Sequence, residues 1–264
     1  MWKAEVVRLS VADRKPHAVL DLPSRQQKAL KIERLLDLST KPQAIRLLEI
    51  GTGSGGIAHY FATHKNIRCD VTAVDVVDQR LLRDKYDFVL IEDTVLPFAN
   101  GSFDVVISNH VIEHVGNRDA QCHHLSEIHR VMKVDGIGYL AVPNRWMLVE
   151  PHYKLIFLSW LPRTLRSYYL RLARRGSFYD CEPLEKRELE KLLDRNRFLY
   201  RNICTRAFRE TLAIEQNHGI LHIFIGQLPD CCLDMLSPVI PTLIYQLKIN
   251  SNSLKSFSHD LIHR

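Results

Sequence analysis

The sequence predicts a doubly wound α/β fold, a largely parallel sheet covered by helices on both faces. Three observations lead there. Short apolar runs, "AIRLLEIG", "DVTAVDV", "DFVLIED", "FDVVISN" and "GIGYLAVP", recur between residues 44 and 143. Helical patterns separate most of them, and such alternation marks a parallel sheet buried on both sides. A glycine-rich turn, "GTGSGG" (51–56), follows the first run directly, and in this architecture ligands bind at the carboxyl ends of the strands.

Length and composition agree with this class. The chain has 264 residues, 46% hydrophobic and 25% charged, which suits one large domain with a proper core and excludes a disordered or fibrous chain. Lys and Arg total 36 against 30 Asp and Glu, a net charge of +6 that mildly favours an anionic partner. The cysteines at 69, 122, 181, 204, 231 and 232 have no paired metal-ligand spacing, and adjacent Cys231 and Cys232 are poorly placed to bridge. Reduced thiols in a cytoplasmic protein are expected. The N-terminus lacks a signal-peptide pattern, and the most apolar later run, "YKLIFLSWLP", is about half the length of a bilayer-spanning helix.

In chain order, residues 1–24 form a lead-in. "SRQQKALKIERLLDL" (24–38) places Ala29, Ile32, Leu35 and Leu36 on one helical face, with Ser24 as the N-cap. The breaker "STKPQ" precedes the strand series. From residue 146 the chain turns rich in aromatics and arginine and loses the strand–helix rhythm, so 146–182 reads as an insertion. "PLEKRELEKLLDRN" (183–196) is an amphipathic helix with Leu184, Leu189, Leu192 and Leu193 toward a core. "FLYRNICTRAF" and "PTLIYQLKI" supply further strands, with a helical stretch between them. The expectation is one domain over 1–250: a cofactor-binding core at 25–145, a substrate lid at 146–182 and completion of the sheet at 183–250. A polar tail occupies 251–264.

Gly51, Gly53 and Gly56 fit a dinucleotide fingerprint, and Asp75 lies about twenty residues on, where a ribose-binding acid belongs. Glu49 argues the other way. A carboxylate two residues before the first glycine would repel a pyrophosphate at the helix N-terminus but attract the ammonium and sulfonium of S-adenosylmethionine. The acidic pair Glu92–Asp93, after the third run, suits an adenine amino group. S-adenosylmethionine is therefore preferred over a nicotinamide dinucleotide.

Taken in order, "LLEIGTGSGG", "VTAVDV", "EDTVLPFANGSFDVVISNHVIEHV" and "LSEIHRVMKVDGIGYLAVPNR" resemble the motifs of class I S-adenosylmethionine-dependent methyltransferases, and most closely the type 11 group. The resemblance covers roughly residues 45–146. It implies a Rossmann-like, seven-stranded sheet whose last strand is antiparallel, for which "PTLIYQLKI" is the candidate. It implies that Glu49, Gly51, Gly53 and Gly55 contact the methionine part and that Asp75 accepts from the ribose hydroxyls. Asp93 with Thr94 then holds the adenine, and Asn109 lies along the methionine and sulfonium.

"HVIEHV" (110–115) also spells the His-x-x-Glu-His of an inverted zinc peptidase. Placed directly after a buried strand in this pattern, it reads instead as the start of the next helix. Some methyltransferases that resemble this segment bind a divalent ion through Glu-x-x-Glu-His, but His110 replaces the first acid here, so no metal ligands are assigned. His110 and His114 are the candidate bases, needed only if the nucleophile must lose a proton.

Within the insertion, Trp146, His152, Tyr153, Phe157 and Trp160 suit an apolar lid, and Arg163, Arg166, Arg171, Arg174 and Arg175 a basic helix face. This favours a lipid-linked or glycan-type acceptor, with peripheral membrane contact through 152–175. DNA is not expected as a partner, and no RNA-binding module is recognisable. The expected activity is methyl transfer from S-adenosylmethionine to an unidentified acceptor. The alternatives are a nicotinamide-dependent oxidoreductase and a non-catalytic scaffold that binds the cofactor.

Overall fold

A computed structural model describes residues 20–40, 43–215, 228–235 and 239–250. The polar tail and nearly all of the lead-in lie outside the described residues. Helix α1, Leu22–Leu35, starts earlier than Ser24: Asp21 is its N-cap, without a side-chain bond, and Pro23 occupies the first turn, where its missing N–H costs nothing. Strand β1 (Ile45–Ile50) leads through the glycine turn into α2 (Gly56–Ala62). There follow β2 (Cys69–Asp75), β3 (Asp87–Leu90), β4 (Phe103–Asn109), α3 (Arg118–Val131) and β5 (Met132–Pro143).

The insertion holds a two-stranded pair, β6 (Val149–Glu150) and β7 (Leu155–Ile156), and helix α4 (Arg163–Leu172). The chain then adds α5 (Lys186–Arg195), β8 (Phe198–Asn202), α6 (Cys204–Glu215), α7 (Asp230–Met235) and β9 (Thr242–Ile249). The main sheet has seven strands in the order β3-β2-β1-β4-β5-β9-β8. Strands β1 to β5 pair in parallel, whereas β9 runs antiparallel to both β5 and β8. "PTLIYQLKI" is thus the antiparallel strand, as the resemblance implied.

Alternate residues of the central strands feed two cores. Leu47, Ile107, Tyr139 and Ala141 pack under α1, α2 and α6 with Ile32, Phe61 and Ala207. Leu48, Val106, Leu140 and Val142 face the other side, against Leu125 and Ile128 of α3 and Leu189 and Leu193 of α5. This two-residue period explains why both faces read apolar in sequence.

Two connections depart from the expected helices. Residues 76–86, between β2 and β3, and 91–102, between β3 and β4, contain no helix. In the first, Arg80 spans the gap: it bonds Asp78 at 2.9 Å and stacks over the Phe88 ring at 3.7 Å, so a cation–π contact covers strand surface that a helix would otherwise bury.

"HVIEHV" does not start the next helix. His110 has φ +58°, a left-handed conformation that breaks the extended run, and Ile112–His114 make one 3₁₀ turn. Helix α3 begins at Arg118, where the Asn117 side chain accepts from the Ala120 amide at 3.0 Å. The insertion has its own small core of Tyr153, Leu158, Leu170, Tyr179 and Cys181. Arg166 is buried rather than part of a basic face, its guanidinium donating to the carbonyls of Leu161 and Ser159 at 2.8 and 3.0 Å. Arg163 pairs with Glu182. Arg163, Arg171, Arg174 and Arg175 are exposed.

Candidate cofactor site

The carboxyl ends of β3, β2, β1 and β4 form one rim, and it carries most of the residues singled out in sequence. After β1 the chain turns sharply, with the amides of Gly51 and Thr52 donating to the Val74 carbonyl of β2 at 2.8 and 3.3 Å. Gly51, Gly53 and Gly55 all have positive φ. At Gly51 a Cβ would lie 2.4 Å from Val111 Cγ2, and at Gly55 it would lie 2.3 Å from the Tyr86 hydroxyl. Both the conformation and the close approach therefore require glycine.

Asp75, the last residue of β2, holds the middle of the loop. Its Oδ2 accepts from the Gly53 amide at 2.9 Å and its Oδ1 from the Val76 amide at 2.7 Å. Glu49 lies beneath the loop, 2% exposed, with Oε2 accepting from the Thr52 hydroxyl at 2.7 Å. Burial pushes its carboxyl up to about 8, against the opposing bonds from Thr52 and the Ala58 backbone and the charge of Arg25. Glu49 is therefore largely protonated at neutral pH, and its charge does not by itself discriminate against a pyrophosphate as the sequence argument supposed.

Past β3, Asp93 is exposed and accepts from the Val95 amide at 2.7 Å. Thr94 is drawn toward α3, its hydroxyl 2.6 Å from His123 Nδ1. Asn109 closes β4, and its Oδ1 is buried without a hydrogen-bond partner among the described residues. An orphaned acceptor costs free energy unless something supplies a donor. The glycine cradle and this orphaned oxygen fit a ligand bearing hydroxyl and ammonium donors.

His110 and His114 come together on Glu113, which is fully buried between them. His110 Nδ1 lies 3.3 Å and His114 Nε2 3.9 Å from Glu113 Oε1. Burial drives the Glu113 carboxyl up, but His110 and His114 outweigh it and hold it below the usual range. Arg25 of α1 was missed in the sequence: its Cβ would meet a Cβ built on Gly56 at 2.6 Å, and its charge is felt by Glu49. Its position in a patterned helix was legible, but its proximity to a loop about twenty-five residues on was not.

A seven-stranded sheet with one antiparallel strand, a glycine turn after β1 and an acid ending β2 defines a class I S-adenosylmethionine-dependent methyltransferase domain. S-adenosylmethionine is the cofactor of this class. Residues 48–140 match the family model described as a methyltransferase domain, of the type 11 group. The chain is 26% identical over 146 residues to the sarcosine/dimethylglycine N-methyltransferase of Aphanothece halophytica, covering 52% of this chain and 50% of the relative. It is 29% identical over 126 residues to the cyclopropane-fatty-acyl-phospholipid synthase of Escherichia coli (strain K12), covering 46% of this chain and 31% of the relative. The chain thus spans half or less of the length of these relatives. A solved SAM-dependent methyltransferase from Methanosarcina mazei shares the fold, with a TM-score of 0.51 and 16% identity over 82% of this chain and 97% of that one.

Proposed function

We propose that this chain transfers a methyl group from S-adenosylmethionine to an acceptor bound between the strand rim and the segment 146–182. The observation that carries the reading is the Gly53–Asp75 bond, which sets a carboxylate and a glycine loop side by side at the end of β2. When bound, S-adenosylmethionine supplies a methyl group already activated by its sulfonium. The protein's part is then alignment and exclusion of water. In this reading Asp75 accepts from the ribose hydroxyls and Asp93 with Thr94 holds the adenine. Glu49, Gly51, Gly53 and Gly55 shape the methionine end, where Asn109 Oδ1 accepts from the ammonium.

For an acceptor that must lose a proton, His110 is the proposed base, with His114 beside it. Glu113, 3.3 Å from His110 Nδ1, orients that ring, as a carboxylate does in other histidine-based sites.

The acceptor we propose is lipid-linked or glycan-type and carries an anionic group. A cavity of about 290 Å³ is lined by Arg118, Arg145, Arg163 and Arg166 against Glu182 and Glu188, an excess of positive charge. Arg145 Nε is buried there without a hydrogen-bond partner among the described residues. On α4, Leu165, Tyr168 and Leu172 are exposed on one face, flanked by Arg171, Arg174 and Arg175, which suits contact with an anionic membrane surface. One relative is also named for a fatty-acyl-phospholipid. No helix among the described residues is long and apolar enough to cross a membrane, and we place the reaction on the cytoplasmic side.

Calorimetric titration with S-adenosylhomocysteine, and with NAD in parallel, tests the donor. Binding of the first alone supports the reading, and binding of NAD alone overturns it. Co-sedimentation with anionic but not zwitterionic vesicles, lost in a Leu165→Ser/Tyr168→Ser/Leu172→Ser variant, supports the membrane contact. Background sedimentation with both vesicle types removes it.

A further inference from the structure

We infer that His114, His152 and Cys181 form a zinc site that latches the 146–182 segment onto the strand rim. One ligand atom from each residue lies within 4.8 Å of the others. His114 Nδ1 is 3.8 Å from Cys181 Sγ, and the His114 and His152 rings meet edge to face at 5.3 Å between centroids. Two imidazoles and a thiolate are the donor set of zinc rather than of magnesium or calcium, which take oxygen ligands.

The surroundings match such a site in two further respects. The ring nitrogen of His114 that faces away from Cys181 points toward the buried Glu113 carboxylate, Nε2 to Oε1 3.9 Å. Histidine ligands commonly give their second nitrogen to a carboxylate, which fixes the tautomer and raises ligand basicity. The backbone also holds all three segments in place. The Glu182 amide donates to the Glu113 carbonyl at 2.8 Å, binding the Cys181 segment to the His114 turn. The Tyr153 amide donates to Glu150 Oε2 at 2.7 Å, fixing the turn that carries His152.

Ligand atoms of a tetrahedral zinc centre lie roughly 3.3–3.8 Å apart, given bonds of about 2.0–2.3 Å. The ligand atoms, within 4.8 Å of one another, would close to that spacing as zinc binds. On binding, a Zn–S bond forms as the Cys181 S–H bond breaks, and the proton leaves to solvent. Three protein ligands leave a fourth position for water or for an acceptor heteroatom. Of the His-x-x-Glu-His segment only His114 is a ligand: Glu113 supports it and His110 stands outside. The site shares His114 with the proposed methyl-transfer machinery, but its test reads zinc binding and not methyl transfer; it adds ligands where the sequence assigned none.

The test uses the full chain without an affinity histidine tag. Zinc content by mass spectrometry, with competition against a chromophoric chelator, is expected to give one ion per chain. Cobalt substitution is expected to give a thiolate-to-cobalt charge-transfer band that Cys181→Ser abolishes and that Cys231→Ser/Cys232→Ser retains. His152→Gln is expected to lose the thermal stabilisation that zinc confers on the wild type, and Glu113→Gln to weaken zinc binding roughly 10- to 100-fold. Absence of the thiolate band, or equal zinc uptake by the wild type and a His152→Gln/Cys181→Ser double variant, overturns the inference.

Discussion

The Gly53 amide donates to Asp75 Oδ2 at 2.9 Å, so the acid that ends β2 and the middle of the glycine turn after β1 are one hydrogen-bonded unit. Because β1 and β2 are parallel neighbours, twenty-two residues of chain return to the same rim. Asp75→Ala removes both the anchor and the proposed ribose acceptor. Binding of S-adenosylhomocysteine should weaken by roughly 1.5–3 kcal/mol, the range for hydrogen bonds to a charged group. Calorimetry showing unchanged affinity would refute this placement of the ribose.

Gly51 is constrained twice: its φ is +74°, and a Cβ added to it would lie 2.4 Å from Val111 Cγ2. Gly51→Ala should cost about 2 kcal/mol or more in denaturant unfolding, from backbone strain plus overpacking. Since the obstructing atom is a side chain, Val111→Ala should relieve part of the cost. A double-mutant cycle with no coupling between the two positions would show that the contact does not matter.

Glu49 imposes a pH dependence on stability. Its carboxyl is raised from an ordinary 4.5 to about 8, chiefly by burial, so the folded state holds a proton that the unfolded state releases above pH 4.5. That contribution is full below 4.5 and is lost as pH rises through 8, by roughly 1.4 kcal/mol per unit at most. Glu49→Gln should flatten this part of the profile. Equal slopes for variant and wild type between about pH 5 and 8 in urea titrations would contradict it.

His124 acts in the opposite direction. It is buried against Ser108, 3.0 Å from its hydroxyl, and desolvation lowers it from 6.5 to about 4. The unfolded chain therefore binds the extra proton first as pH falls below 6.5, and stability drops until about 4, by roughly 3 kcal/mol in all. His124→Gln should remove that loss. Thermal melts whose acid-side slope is the same with and without His124 would count against it.

The main fold was legible because its signals are local and periodic. The strands around Leu47–Leu48, Val105–Ile107 and Tyr139–Val142 announce themselves by apolar runs, and the structure divides their alternate residues between two cores. The helix at 186–195 carries Leu189 and Leu193 at helical spacing, and both are fully buried. The break at His110 was not legible, since a non-glycine residue with φ +58° leaves no mark on hydrophobic periodicity. Arg166 was misplaced for a related reason: an arginine among exposed arginines gives no sign that its own guanidinium is turned inward onto two carbonyls.

By itself, then, the sequence determined the doubly wound sheet, the glycine turn and the acid at Asp75, because β-strand alternation, tight-turn glycines and strand-end acids are properties of neighbouring residues. Only the tertiary structure decided which way Glu49 faces, that Glu113 is enclosed by His110 and His114, and that His114, His152 and Cys181 converge. Those relationships arise when strand pairing and the packing of 146–182 bring distant segments together, and burial then sets which carboxylates keep their charge.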